Sequence, residues 1–305
     1  MAKIIKPHLL VIGGTGFIGF HLILAAKKRG WSVSSISLNK PKAYRYVNGV
    51  NYFKCDIANL KELRKKLNRS YTYVVNLSGY GKHTFFKDGG DKIIEAHFLG
   101  LVNLTKVLSK KKIKKFIQIG SSEEYGEVQA PQSETSQGMP SSPYAIAKLA
   151  CTQFLKMLYA TEKYPATILR FFLIYGSRQD DNRILPQIIK GCLKNKKFNV
   201  SKGDQIRDFC YIDDAINAIF LTLNSKKTNG EIFNIGSGKP IKIKKVVTQI
   251  CKIIGKGKPQ FGKIKYRKNE NMTLYPKVEK ARVKLKWKPK IKFNLGIKIL
   301  LKSYK

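Results

Sequence analysis

His8-Leu9-Leu10-Val11-Ile12-Gly13-Gly14-Thr15-Gly16-Phe17-Ile18-Gly19 decides the fold. The first five residues are a short apolar run and read as a buried strand. Glycines follow at once in a GxxGxxG spacing at Gly13, Gly16 and Gly19, and 17–29 then reads as a helix closed by Gly30. Glycine lets the backbone approach a diphosphate closely, and a helix N-terminus favours its charge. A lone glycine turn carries little information. Between a strand and a helix it predicts a dinucleotide site, built from Gly13, Thr15, Gly16, Phe17, Ile18 and Gly19.

Working outward, strands are expected at 31–38 and 50–55, a helix at 60–67, a strand at 73–77 and a long helix at 92–108. A fifth strand at 115–120, a helix at 143–159 and a sixth strand at 166–171 continue the series. This alternation predicts an α/β protein with a Rossmann-type, doubly wound parallel sheet. Beyond 171 turn residues crowd in, and short helices are expected at 185–193, 213–223 and 243–254. The expected division is an NAD(P)-binding domain at 1–170 and a smaller C-terminal substrate-binding lobe at 171–305, some of which folds back on the sheet.

Tyr144-Ala145-Ile146-Ala147-Lys148 places a phenol and an ammonium four residues apart, on one helix face. An ammonium beside a phenol favours the phenolate, so Tyr144 is expected to pass a proton to or from a substrate oxygen near neutral pH. Ser121 ends the fifth strand, at the carboxyl edge of the sheet where such folds bind ligands. Its hydroxyl is placed to hold the same oxygen, whereas in isolation it reads as a turn cap. A hydride cofactor beside a proton donor is the equipment for interconverting an alcohol and a ketone.

An acidic residue ending the second strand commonly holds the ribose of NAD. Here the run is Ser37-Leu38-Asn39-Lys40, with Lys42 and Arg45 just beyond. A missing acid and nearby bases favour a 2′-phosphate, hence NADP over NAD, with Asn39 and Lys40 as contacts. The same lysines also read as ordinary members of a lysine-rich surface. Asp56 and Ile57 follow the third strand, where they meet the adenine or Asp56 caps the next helix. Leu77, at the end of the fourth strand, borders the same site.

The chain has 305 residues, enough for about two domains, and its 59 Lys and Arg against 19 Asp and Glu give a formal charge of +40. Such charge raises the possibility of nucleic-acid or anionic-lipid binding. The lysines are spread along the chain without interleaved aromatics, which fits a solvated surface better. No specific nucleic acid is expected. The 5 cysteines never form a CxxC pair, which argues against a disulfide framework or a metal site and fits a reducing cytoplasm. Residues 9–26 lack charge, but their four glycines favour strand, turn and helix over a membrane span.

These motifs together resemble the extended short-chain dehydrogenase/reductase family of nucleotide-sugar epimerases, dehydratases and reductases, from about residue 8 to the C-terminus. Ser121, Tyr144 and Lys148 fall on the family's catalytic Ser/Thr, Tyr and Lys, which the resemblance implies as catalytic here. Pro131, Glu134 and Ser142-Pro143-Tyr144 resemble its lead-in to the catalytic helix. Gly203-Asp204-Gln205-Ile206-Arg207-Asp208-Phe209 is similar to the stretch whose Arg meets a substrate diphosphate, a task suited to a bidentate guanidinium. Lys284-Leu285-Lys286-Trp287-Lys288-Pro289 resembles its closing segment. Three positions depart: Leu173 and Ser177 stand where Asn and Pro are common, and His97 stands where Asn is common, read as a structural substitute. The resemblance also implies a homodimer.

The family's reactions diverge beside the catalytic hydroxyl. Dehydratases typically carry Asp-Glu there, and this chain has Ser122 and Glu123. The run Gly120-Ser121-Ser122-Glu123-Glu124-Tyr125-Gly126 resembles that of 4-keto-6-deoxy-sugar reductases, and 205–209 is similar to the synthase completing CDP-abequose. The expectation is NADPH-driven reduction of an NDP-4-keto-6-deoxyhexose, with Ser122, Glu123, Lys82, Arg178 and Arg207 on the substrate. The alternatives are a 4-epimerase holding NAD tightly, a 4,6-dehydratase, and a non-catalytic RNA-binding member of the fold.

Overall fold

The computed structural model describes residues 6–79, 84–111, 113–267 and 270–304. The opening stretch forms strand β1 (His8–Ile12) and helix α1 (Phe17–Lys28) across a tight turn. Next come β2 (Ser32–Ser37), β3 (Asn51–Lys54), α2 (Leu60–Lys66) and β4 (Tyr73–Asn76). They are followed by α3 (Gly90–Ile94), a π turn (Glu95–Leu99), α4 (Gly100–Val107), β5 (Lys115–Ser121), α5 (Pro143–Glu162) and β6 (Ala166–Phe171). The long helix expected at 92–108 is thus interrupted. Its π turn carries His97, and Gly100 sits over the Ile57 side chain with no room for a Cβ. π turns concentrate at functional sites.

The C-terminal part holds β7 (Leu173–Tyr175), α6 (Ile184–Leu193), β8 (Lys197–Asn199), β9 (Ile206–Tyr211), α7 (Ile212–Leu223) and β10 (Ile232–Ile235). After them come β11 (Pro240–Lys242), α8 (Ile243–Ile254), β12 (Lys258–Gln260), β13 (Thr273–Leu274), α9 (Glu279–Lys284) and α10 (Phe293–Leu301).

Seven parallel strands form the main sheet in the order β10-β6-β5-β4-β1-β2-β3. Apart from the edge strand β3, their residues are mostly buried on both faces, as parallel strands covered by helices must be. The order reverses between β1 and β4, so their carboxyl ends open the crevice where such sheets take ligands. A smaller sheet centred on β9 pairs it with β7 and β13 in parallel and β11 antiparallel, and β8 pairs β12 separately.

The chain re-enters the main sheet after residue 170. Strand β10 pairs with β6, and α7 packs beneath β5 and β6. Four hydrogen bonds explain the return. The buried Lys115 ammonium donates to the Ser225 carbonyl at 3.0 Å, Thr228 Oγ1 at 2.6 Å and Asn229 Oδ1 at 2.6 Å, and Thr167 Oγ1 donates to the Thr228 carbonyl at 2.6 Å. The closing segment is fixed by one acid. The Asp214 carboxylate accepts the amides of Lys290 and Ile291, while its carbonyl accepts Trp287 Nε1 at 3.0 Å.

Burial pushes the Lys115 ammonium down to about 7. A lysine whose folded pKa lies below its unfolded one gains stabilising value as pH rises from about 7 to about 10.5. Lys115→Met strands three acceptors and is expected to lose ~1–3 kcal/mol at pH 7. Denaturant unfolding of both proteins from pH 7 to 10 should show the deficit widening; a constant or shrinking gap would contradict it.

Candidate active site

The turn after β1 brings backbone against backbone. A Cβ on Gly19 would lie 2.5 Å from the Gly13 carbonyl oxygen and 2.6 Å from Gly14 Cα, and Gly13 itself adopts φ +79° against the Leu77 backbone. These contacts admit only glycine. They leave the N-terminus of α1 without a side-chain cap at Gly16 and without an acid in its first turn. The amide of Thr15 donates to Ser37 Oγ at 3.4 Å. A helix start with uncapped amides beside a glycine cradle fits the diphosphate of NAD(P), and Thr15, Phe17, Ile18 and Gly19 lie along that edge.

The other residues expected at the cofactor are placed as follows. Leu77 follows β4 and its amide donates to the Ile12 carbonyl at 2.9 Å. Asn39 and Lys40 stand exposed beyond β2. Arg45 is buried: it donates to the Arg178 carbonyl and pairs with Asp180 at 3.0 Å, while Lys42 lies 3.8 Å from the same carboxylate. Asp56 Oδ1 accepts the Ala58 amide at 2.9 Å, and the cap of α2 is instead Asn59, whose side chain accepts from Glu62. Ile57 is buried, and its carbonyl accepts from Asn103 at 3.1 Å.

Tyr144, Lys148 and Ser121 converge at the carboxyl end of β5. Helix α5 starts with Ser142 as its cap, whose hydroxyl accepts the Ala145 amide, and with Pro143 in its first turn. Tyr144 is therefore presented from the first turn. Its phenol faces Ser121, which draws the phenol's pKa down, and Ser121 Oγ accepts the Glu123 amide at 3.2 Å. Lys148 is buried, 6.0 Å from the Tyr144 ring, and donates to the Ile119 carbonyl at 2.8 Å. The His97 ring meets Tyr144 edge-on at 5.3 Å and fills the space left by Gly79.

The electrostatics differ from the expected phenolate. Burial pushes the Tyr144 phenol up to about 12, helped by the Glu123 and Glu124 carboxylates and opposed by Ser121 and Arg183. Burial also lowers Lys148, whose ammonium is spent on the Ile119 carbonyl. In this state the phenol is a proton donor across the physiological range. Dry surroundings outweigh a cation whose hydrogen bond goes elsewhere.

On the substrate side, Ser122 is buried and Glu123 acts electrostatically on both Tyr144 and Arg207. Arg207 is mostly buried on β9 and donates to Glu270 at 3.0 Å; burial lowers its pKa and the carboxylates of Glu270 and Glu123 raise it. Arg178 lies exposed with φ +62°, its guanidinium 5.1 Å from the Phe20 ring of α1. Lys82 and His83 lie outside the described residues. Sequence reasoning passed over Glu124 and Asn76. Asn76 donates to Gln118 at 2.9 Å and accepts from Ser78, which shapes the loop after β4. Buried polar residues on a strand carry that signal in a sequence.

A Rossmann sheet with a glycine-cradled helix start and a Ser-Tyr-Lys constellation at its carboxyl edge defines a dinucleotide-dependent enzyme of the short-chain dehydrogenase type. Residues 9–236 match the NAD dependent epimerase/dehydratase family, and the chain belongs to it. It is 30% identical to the UDP-N-acetyl-alpha-D-glucosaminuronate decarboxylase of Bacillus cytotoxicus, over 80% of this chain and 79% of that one. It is 29% identical to a putative UDP-glucose 4-epimerase of Methanocaldococcus jannaschii, over 95% and 96%. In fold it is similar to the UDP-glucose 4-epimerase of Thermotoga maritima solved with UDP-glucose, with a TM-score of 0.90, 24% identity and 97% and 98% coverage. The dTDP-glucose 4,6-dehydratase of Bacillus anthracis solved with NAD superposes with a TM-score of 0.87 at 22% identity, over 98% and 96%. Among the described residues no helix is long and apolar enough to cross a membrane.

Gly19→Ala drives a Cβ into the Gly13 carbonyl and is expected to weaken binding of NAD(P)H at least ~10-fold, an amount equal to ~1.4 kcal/mol. Fluorescence titration of the reduced cofactor checks it, and unchanged affinity would show that the turn is not the diphosphate cradle.

Proposed function

We propose that the chain reduces the C4 ketone of a nucleoside-diphosphate 4-keto-6-deoxyhexose at the expense of NADPH. The reading rests on the protonated phenol of Tyr144 facing Ser121, a donor ready for the oxyanion that hydride addition creates. NADPH, when bound, supplies the hydride. Ser121 holds the ketone oxygen, Tyr144 gives it a proton, and Lys148 fixes the cofactor ribose and restores the Tyr144 proton from solvent. The nearby Arg207 and Glu123 receive the nucleotide diphosphate and the sugar hydroxyls. Ser122, where dehydratases typically carry Asp, offers no carboxyl acid for expelling the C6 hydroxyl.

NADP over NAD is supported by Asn39 and Lys40 ending β2 without an acid. A homodimer and a role for Arg178 and Lys82 at the sugar belong to the same proposal. The second reading is a 4-epimerase retaining NAD. Two observations favour it: relatives named as epimerases, and Arg45, whose guanidinium is already committed to Asp180. Purified protein that carries bound NAD supports that reading.

The decisive experiment follows loss of reduced-nicotinamide absorbance with GDP-, dTDP- and CDP-4-keto-6-deoxyhexoses, with NADPH and NADH in parallel. Rapid NADPH oxidation with one of them is the expected result; silence across the panel would sink the reductase. Tyr144→Phe should cut turnover by ~10²–10⁴-fold and leave cofactor affinity within about twofold. A Phe variant that retains most of the activity would remove Tyr144 from the mechanism.

A further inference from the structure

Glu124 sits at the centre of the polar interior beneath the site, and nothing in the reaction so far uses it. Its side chain is fully buried. Oε1 accepts the Ser121 amide at 2.8 Å. Oε2 accepts Thr152 Oγ1 at 2.7 Å and Arg170 Nε at 2.8 Å. These donors come from three elements: the end of β5, helix α5 and strand β6. Thr152 is one helical step of four beyond Lys148, which is itself four beyond Tyr144, so all three share one stripe of α5. Arg170 stacks in turn on the Tyr125 ring at 4.5 Å, and Tyr125 OH donates to Asn234 Oδ1 at 2.7 Å. Gly120 makes the room, because a Cβ there would lie 2.4 Å from Glu124 Oε1.

We propose that Glu124 is a positioning residue that locks the rotation of α5 to the end of β5, and so sets Tyr144 and Lys148 against Ser121. This rests on the reading of Ser121 and Tyr144 as the reacting pair. A carboxylate is the side chain that accepts from an amide, a hydroxyl and a guanidinium together; an amide or an apolar residue strands at least one of them. Reacting groups misplaced by about an ångström lose rate steeply, so the clamp acts on turnover more than on binding. Its charge acts as well. Glu124 raises Tyr144 and favours the charged form of Lys148. Among the described residues, Glu123, Arg183, Ser121 and the His97 ring also face Tyr144; Cys151 faces Lys148 and Arg170 faces Glu124. Removing the Glu124 charge therefore moves the Tyr144 phenol downward, and the alkaline limb of the rate moves to lower pH.

The test compares wild type with Glu124→Gln, Glu124→Asp and Thr152→Val, each checked by thermal melting. Glu124→Gln is expected to lower kcat ~10–100-fold with KM and cofactor Kd within about threefold, and to shift the alkaline limb toward acid. Glu124→Asp should recover part of kcat and restore the limb. Thr152→Val keeps the charge pair, so kcat should fall several-fold with no shift of the limb. A Gln variant within threefold of wild-type kcat, or one losing rate and stability together with an unmoved limb, overturns the proposal. If the Gln variant fails to fold, Thr152→Val with unchanged kcat overturns it. Wild type silent on ketosugars but active on unoxidised nucleotide sugars defeats the reductase reading alone, and the same comparison is then made in that assay. A readout free of substrate is the 13C resonance of Tyr144 Cζ, assigned by its loss in Tyr144→Phe; an equal titration midpoint in wild type and Glu124→Gln also overturns the proposal.

Discussion

The structure depends on how closely two pieces of backbone approach where β1 turns into α1. With Gly19 directly over the Gly13 carbonyl, the helix axis is pinned to the end of the central strand. The same contact leaves α1 starting with uncapped amides, a cost repaid when an anion arrives. Because β1 lies beside both β2 and β4, this pinning also fixes the crevice between the two halves of the sheet. Ser121 and α5 are reached from there through β4 and β5 alone, so the catalytic groups inherit their position from one glycine turn.

Burial then decides the chemistry. The sequence pairs a phenol with an ammonium and points to a phenolate, yet the folded chain buries the ammonium and half-buries the phenol, and desolvation favours the neutral form of each. There the ammonium finds the Ile119 carbonyl, and the phenol keeps its proton. A helical spacing of four reports a shared face but nothing of the dielectric around it or of competing acceptors. That is why the shared face was legible and the ionisation was not.

Much of the fold was written in periodicity. β1, α1, β6 and the helix of the reacting pair follow from apolar runs, caps and glycines. The return of β10 was less visible, because Ile232–Ile235 is a four-residue apolar strand that propensity does not tie to any sheet. What ties it is tertiary: the Lys115 ammonium reaching Ser225, Thr228 and Asn229 across the bottom of the sheet. A lysine opening a strand in a chain with so many lysines gives no such sign. The π turn under His97 was hidden similarly, since it answers to Gly79 and Ile57 on other elements.

The excess of positive charge looks different once the carboxylates are located. Asp180 holds Arg45, Glu124 holds Arg170, Glu270 holds Arg207, and Glu231 holds Lys280 and Lys284. Asp214 fastens the closing segment, and Asp208 receives the amides of Ser237 and Lys239 to shape the turn before β11. With 19 acids against 59 bases, most of the cations have no carboxylate to pair with. These six acids each serve a cation or a turn. A surface of that sign draws in an anionic nucleotide-linked substrate at low salt without any dedicated binding residue.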